Sequence, residues 1–407
     1  MKAAIFHPRF DAPRGAQKVA LAHAHALRSL GWDVRVLAFD WRPEQFSAAD
    51  RDLKPVLLPV PRRLWDGRMD PVAIAALDAA LADREVAIAH NYPASAYLGH
   101  ATVDVPRGWY CEEPFRALYI PETRPGLHRA FVDGRLDPAS QIGRYYRREL
   151  RKSFWSLALN PRYRGKRRED RIGVAALDGV AANSEATAAV FERIYGAAAT
   201  VLYCPVEFPA DLPAPPAADA PLRILTQGGF GPLKGLAMLL AGYERFLATS
   251  RRRVMLEIVG AGKERAGIER LIAGTRAAAC VRIHGWVSDE QLAELRSQCH
   301  AFAAMPADEP FGLVFAEALA AGLVAIGPDH GGPVEILGGG EFGLIADPFV
   351  AASVADALSR FADMDFAARG ALRERAFVAA RRRFDVRMLP FQLDGWLRSV
   401  QRAATRP

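Results

Sequence analysis

Between Asp308 and Leu337 the chain reads DEPFGLVFAEALAAGLVAIGPDHGGPVEIL, a stretch that admits few folds. Pro310 cannot sit inside a helix, so Glu309 belongs to the loop that leads into one. Gly312 to Ala321 are good helix formers and Gly322 is a natural stop. Leu323 to Ile326 is then a short apolar run, expected as a buried strand. On one continuous helix Glu309 and Glu317 would lie roughly 12 Å apart along the axis. With Glu309 on the loop and Glu317 inside the helix, both carboxylates can face a ligand lying over the helix N-terminus. At the N-terminus of such a helix the amides of Phe311, Gly312 and Leu313 favour an anion such as a diphosphate.

Joined to the E-P-F-G-L that follows Glu309, the E-A-L-A-A-G helix and the G-G-P-V-E-I turn at Gly331 to Ile336, this spacing resembles the E-x7-E signature of the retaining glycosyltransferases of family 4. That family has the GT-B fold. The plain alternative is the loop–helix–strand unit of any α/β protein, with Glu309 solvated and Glu317 on an exposed face. A lone E-x7-E does not separate the two; the joint string favours the resemblance.

Length then bears on domain count. At 407 residues the chain is too long for one typical core, so two domains are expected. Apolar residues make up 51% and charged residues 24%, an ordinary globular composition. No apolar run approaches membrane-spanning length, and MKAAIFHP lacks the charged-then-apolar secretory pattern. Cys111, Cys204, Cys280 and Cys299 show no CxxC spacing, which argues against a zinc site or disulfide framework and fits a cytoplasmic protein. A net charge of +7 suits phosphate-bearing ligands or an anionic membrane surface without indicating nucleic acid.

In the first half, Lys2 to His7 and Val34 to Ala38 read as short buried strands, with a helix from Ala16 to Leu30 between them. The loop FDAPRGAQKV places Gly15 just before that helix. It resembles the family's G-G-A-E/Q-x-V element, with Arg14 in place of the first glycine; a plain strand–loop–helix turn is the alternative. Glu85 to His90 is a further strand, at whose carboxyl end ligands gather in an open parallel sheet. His90 resembles a family position lining the cleft, although a strand-end histidine is as often structural. WYCEEPFRALYIP, from Trp109 to Pro121, is similar to the C-H-E-P-x-R-x-L-Y string of one branch of the family, with Glu112 where that branch has histidine beneath the transferred sugar.

From Arg144 to Arg171 the chain is strongly basic, with Tyr145, Tyr146, Phe154, Trp155 and Tyr163 interleaved. Two readings stand: a membrane-surface segment that greets a lipid-phosphate acceptor, or a solvated helical face whose aromatics pack on the domain. Asn183 to Gly196, with Ser184 at a helix start, and VLYCPVE from Val201 resemble the passage that closes the family's first domain. FPADLPAPPAADAP then reads as an extended linker. The expected domains are 1–207, a linker 208–221, a second domain 222–384, and a final helix, 385–407, that in relatives crosses back to the first.

The second domain opens with a strand at Leu222 to Gln227, the loop GGFGPLKG, and a helix from about Lys234 through Thr249. In the family this loop is G-R-x-x-x-x-K-G, whose arginine and lysine hold the donor diphosphate. Lys234 matches the lysine; Gly229 stands at the arginine. Val254 to Val259, Val281 to His284 and Ala301 to Met305 are further strands, and Ser288 with Gln291 makes a capping box.

The resemblance implies an α/β protein of the GT-B fold, two doubly wound Rossmann-like domains facing a central cleft. It implies a metal-independent retaining transferase of hexosyl type, with Lys234 and Glu309 catalytic. The donor would meet Glu317, Phe311, Gly312, Leu313, Gly229 and Gly15, and the acceptor or sugar side His90, Glu112 and Glu113. The donor would be a UDP- or GDP-sugar with no further cofactor or metal, the acceptor a saccharide or a lipid-linked molecule. A place in cell-envelope polysaccharide or glycolipid synthesis, peripheral at the inner face of the membrane, follows. Gly229 and Glu112 keep open a non-catalytic nucleotide-sugar-binding protein, and another GT-B enzyme such as an epimerase is a further alternative.

Overall fold

The computed structural model describes residues 1–60, 69–250 and 252–405 of the chain. Two compact units emerge. One comprises Met1–Thr123, Glu149–Pro205 and Arg387–Pro407; the other comprises Arg124–Arg148 and Val206–Val386. Each is built on one all-parallel sheet.

The first unit's sheet contains β1 (Lys2–Phe6), β2 (Asp33–Ala38), β3 (Val56–Leu57), β4 (Val86–His90), β5 (Arg107–Cys111), β6 (Gly179–Ala182) and β7 (Thr200–Val201), in the order β3-β2-β1-β4-β5-β6-β7. The second unit's sheet contains β8 (Leu222–Gln227), β9 (Val254–Val259), β10 (Val281–Gly285), β11 (Ala301–Ala303), β12 (Val324–Pro328) and β13 (Leu344–Ala346), in the order β10-β9-β8-β11-β12-β13. In both, a central strand leads outward in two directions, as in Rossmann-like folds. Central strands such as β4 and β12 are buried along their whole length, which is why they read as continuous apolar runs rather than alternating ones.

The helices that matter for function are α1 (Gly15–Ser29), α2 (Pro125–Val132), α3 (Gln141–Leu159), α4 (Pro161–Ala175), α5 (Leu236–Thr249), α6 (Arg265–Ala273), α7 (Asp289–Gln298), α8 (Leu313–Ala320) and α9 (Leu389–Ala404). The basic stretch forms two helices. Asn160 accepts hydrogen bonds from the amides of Arg162 and Tyr163 at 3.0 and 3.4 Å, and Pro161 takes the first helical position, so α3 ends and α4 begins there. At α7 the capping box of Ser288 and Gln291 is present in both directions.

Packing rather than chain order sets which unit a segment joins. Arg124–Arg148 lies within the span 1–207 yet groups with the second unit, where Asp308 caps α2 and Arg135 pairs with Asp347. The helix α9 groups with the first unit. Gly108 on β5 and Gly179 on β6 let it approach, since a Cβ at either would come within 2.9 Å of Trp396 or Val400. Residues 406–407 of the expected final helix lie outside the described residues.

Candidate functional site

In the second unit the loops after β8 and β11 meet at the carboxyl ends of adjacent strands. The glycine loop after β8 is clamped by backbone. Phe230 is buried and its amide donates to Ala261 O at 3.0 Å. Gly235, at φ +72°, leaves no room for a side chain: a Cβ would stand 1.7 Å from Met305 O. Lys234 closes a 3-10 turn, Pro232–Lys234, and its half-exposed side chain projects from this fixed base. Its Nζ donates to Glu309 Oε2 at 2.8 Å. Both partners retain solvent contact, so the pair is worth about 1 kcal/mol at most. A phosphate can therefore take over the ammonium at small cost.

Glu309 itself is held through its backbone. Its neighbour Asp308 is buried, with φ +49°, and its two carboxylate oxygens accept from the amides of Gly126 and Leu127 at 2.7 and 2.8 Å, capping α2. On the other side Glu309 O accepts from Gly332 N at 2.9 Å, and a Cβ on Gly331 would stand 2.7 Å from that oxygen. The loop is thus gripped from both flanks, and this anchor has no local signature in the sequence.

Glu317 lies on α8, which starts at Leu313 after Gly312 at φ +95°. Its Oε2 accepts from Arg296 Nη2 on α7 at 2.6 Å and from Gln227 Nε2 at 3.4 Å, while Arg296 also donates to Gln227 Oε1 at 2.9 Å. Gln227 is the last residue of β8. The two glutamates therefore flank one loop, Glu317 at its start and Glu309 beside its lysine. Arg296 joins this cluster without having been expected; the capping box that starts its helix marks where the helix begins, not which side chain reaches Glu317. Phe311 is buried against Phe384, ring centres 5.5 Å apart, so its side chain belongs to the core.

Gly229 carries no conformational demand. Its φ lies outside the left-handed region, where Gly228 has φ +153° and Gly235 +72°. A Cβ there would meet nothing nearer than Ala261 O at 3.9 Å.

In the first unit the polar groups sit at the carboxyl ends of β1, β4 and β5. Asn91 Nδ2 donates to Glu112 Oε2 at 3.3 Å and lies 3.3 Å from His7 Nε2. His90 is fully buried, its Nδ1 3.5 Å from Glu112 Oε1, and its ring packs 5.0 Å from His23 of α1 and 5.2 Å from Tyr110. A ligand would meet Asn91 and Glu112, whose side chain is 13% exposed, before it met His90. Burial lowers His7 to about 4 and His90 to about 3, and holds His23 well below its ordinary value. Burial also pushes the Glu112 carboxyl up to about 7. Glu113 pairs with Arg116 at 2.7 Å, and Gly15 is exposed as the first residue of α1. Among the described residues no group of three His, Cys, Asp or Glu side chains is placed to hold a metal, and no helix is long and apolar enough to cross a membrane.

Residues 13–208 match the family model described as Glycosyltransferase Family 4, and residues 209–382 match that of Glycosyl transferases group 1. A comparison with curated proteins returns no match. Among solved structures, HepE of Anabaena in complex with UDP superposes with a TM-score of 0.72 at 17% identity, covering 98% of this chain and 100% of that one. Sucrose-phosphate synthase of Thermosynechococcus elongatus gives 0.71 at 19% identity, covering 99% of each chain. WaaG, a glycosyltransferase involved in lipopolysaccharide biosynthesis, gives 0.67 at 16% identity, covering 97% and 99%. These likenesses establish a shared fold, GT-B, with a Rossmann-like parallel sheet in each domain. Matched by a family 4 domain followed by a group 1 domain, the chain is a glycosyltransferase of the family 4 type.

Proposed function

We propose that this enzyme transfers a hexosyl unit with retention from a UDP- or GDP-sugar to a saccharide or lipid-linked acceptor, without a metal. The observation that carries the reading is the pairing of Lys234 with Glu309 beside the glycine loop whose other end adjoins Glu317. HepE has been crystallised with UDP and with UDP-glucose, which supports a uridine nucleotide as donor. In the reaction the bond from the sugar C1 to the diphosphate oxygen breaks and a bond to the acceptor oxygen forms on the same face. Lys234 and the backbone amides of Phe311, Gly312 and Leu313 offset the charge that builds on the leaving diphosphate. That phosphate oxygen takes the acceptor's proton, so no side-chain base is assigned. Glu309 meets the transferred sugar and Glu317 the ribose hydroxyls. Glu112 and Glu113 accept from sugar or acceptor hydroxyls.

The acceptor reading draws on the basic helices. Phe154, Trp155 and Leu159 are 65%, 58% and 71% exposed, on a helix end that also carries Arg151 and Lys152. Buried packing accounts for Tyr146 but not for these three, so an anionic membrane surface is the partner they suit. On this reading the enzyme works peripherally at the cytoplasmic face of a membrane. Gly229 and Glu112, where the family has arginine and histidine, favour one other reading, a nucleotide-sugar binder without turnover.

Thermal shift with UDP, GDP and their sugars in excess EDTA, followed by analysis of the product anomer, tests the proposal. One nucleotude class should raise Tm, and a sugar of retained configuration should form. Loss of turnover with EDTA, restored by magnesium or manganese, would overturn the metal-free mechanism; nucleotide binding with neither transfer nor donor hydrolysis would favour the binder.

A further inference from the structure

We propose that the second unit carries a further site, for a phosphorylated sugar, between α3 and α6. It goes beyond the donor reading and does not depend on it. A cavity of about 730 Å³ opens there, within the range of about 300–1,000 Å³ common for small-molecule sites. Its chemistry is mixed in the way a sugar phosphate requires. Arg144 and Arg148 line it from α3 and Arg270 from α6, against one acidic lining residue, Glu264. Guanidinium forks bind phosphate oxygens in pairs, so this excess of positive charge suits a phosphate. Gln141 donates to Glu264 and joins the two elements; an amide and a carboxylate side by side can donate to and accept from sugar hydroxyls. Tyr145, with the Arg148 guanidinium 5.5 Å from its ring centre, supplies an aromatic wall, and Ile268 and Leu271 supply apolar surface for a sugar's C–H face.

Pro232 also lines this cavity, and it opens the turn that ends at Lys234. A ligand here would therefore touch the glycine loop from a second side. The sugar phosphate has two sources with the same chemistry: a free sugar phosphate or the headgroup of a glycolipid.

The test uses the full-length protein and glucose 6-phosphate, with glucose and inorganic phosphate as controls. In parallel, phosphatidylcholine vesicles containing phosphatidylinositol are compared with vesicles containing phosphatidylglycerol. Two variants probe the cavity. R144E with R270E reverses two exposed charges, and Gly267→Glu sets a carboxylate into the cavity from a helix position where a Cβ meets nothing within 4 Å, so both should fold. Wild type should bind glucose 6-phosphate, or prefer the phosphatidylinositol vesicles, at least tenfold more tightly than its controls. Both variants should lose that preference while UDP binding is unchanged. Binding of glucose 6-phosphate assigns a soluble source, and preference for the vesicles alone assigns a lipid one. The proposal is overturned if wild type binds neither, or if both variants bind as wild type does. Loss of UDP binding by the wild type would instead speak against the donor site alone.

Discussion

Each unit gathers polar side chains at the carboxyl ends of its parallel strands, yet the two clusters are electrostatic opposites. Beside the glycine loop of the second unit Glu309 and Glu317 each face a cation, Lys234 and Arg296, and each pair keeps solvent contact. At the ends of β1, β4 and β5 the groups are buried: His7 and His90, with His23 of α1 beside them, are held neutral, and the Glu112 carboxyl is raised to about 7. Topology brings polar groups to such strand ends in both cases. Burial then decides whether they are charged. A cluster of paired, accessible charges can exchange one partner for a diphosphate; a buried neutral cluster can donate or accept hydrogen bonds but resists gaining charge.

The largest expected effect tests the buried side. Because the folded carboxyl of Glu112 is raised from 4.5 to about 7, the unfolded chain releases that proton first as pH rises. Its contribution to stability is present below about pH 4.5 and is lost by about pH 7, by up to about 3 kcal/mol. His7 and His90, lowered to about 4 and about 3, act the other way. Their contribution is present above the ordinary histidine value and is lost as pH falls through those two values. Glu112→Gln should therefore gain stability over wild type between pH 4.5 and 8; it also removes the charge that raises His7, but His7, at about 4, is driven further below that window. Urea unfolding at the two pH values measures this, and a difference that does not change with pH would remove the contrast between the clusters.

On the charged side, Lys234→Ala should weaken UDP binding by about 1.5–3 kcal/mol, the scale of a hydrogen bond to a charged group. Calorimetry reads this directly. Unchanged affinity and turnover would mean that the glycine loop is not the phosphate site. A smaller effect, of opposite sign, belongs to Gly229→Arg. The position has space and no positive φ, so an arginine should tighten UDP binding by about 1 kcal/mol, a charge-assisted contact less the entropy of ordering the side chain. Weaker binding would show that the loop needs glycine there for a reason other than backbone conformation.

Much of the second unit was legible from local pattern. The strands β8 and β9 fall where their apolar runs predict, as does the capping box at Ser288, because short-range signals fix these elements. The loop position of Glu309 follows from Pro310 alone. What local pattern could not give are contacts between distant segments. Arg296 meets Glu317 across 21 residues, and Asp308 caps α2 across 182. Nothing in either partner's neighbourhood announces the other. The same holds for His7 and His23, which read as parts of an apolar strand and helix and become a cluster only when the sheet is assembled. The break at Asn160-Pro161 was legible, since asparagine before proline is a helix-start signal, but the run of basic residues masked it.

In the proposed mechanism the two glutamates of the second unit do different work, and one pair of variants separates them. Glu317→Gln should mainly weaken UDP binding, because the proposed ribose contact would be the same in ground and transition states. Glu309→Gln should leave UDP affinity equal or slightly higher, since Lys234 is released from its ion pair, while turnover of the true donor falls more than affinity does. Calorimetry with UDP beside turnover of the sugar nucleotide separates the two. Abolished UDP binding in Glu309→Gln with intact binding in Glu317→Gln would contradict the assignment.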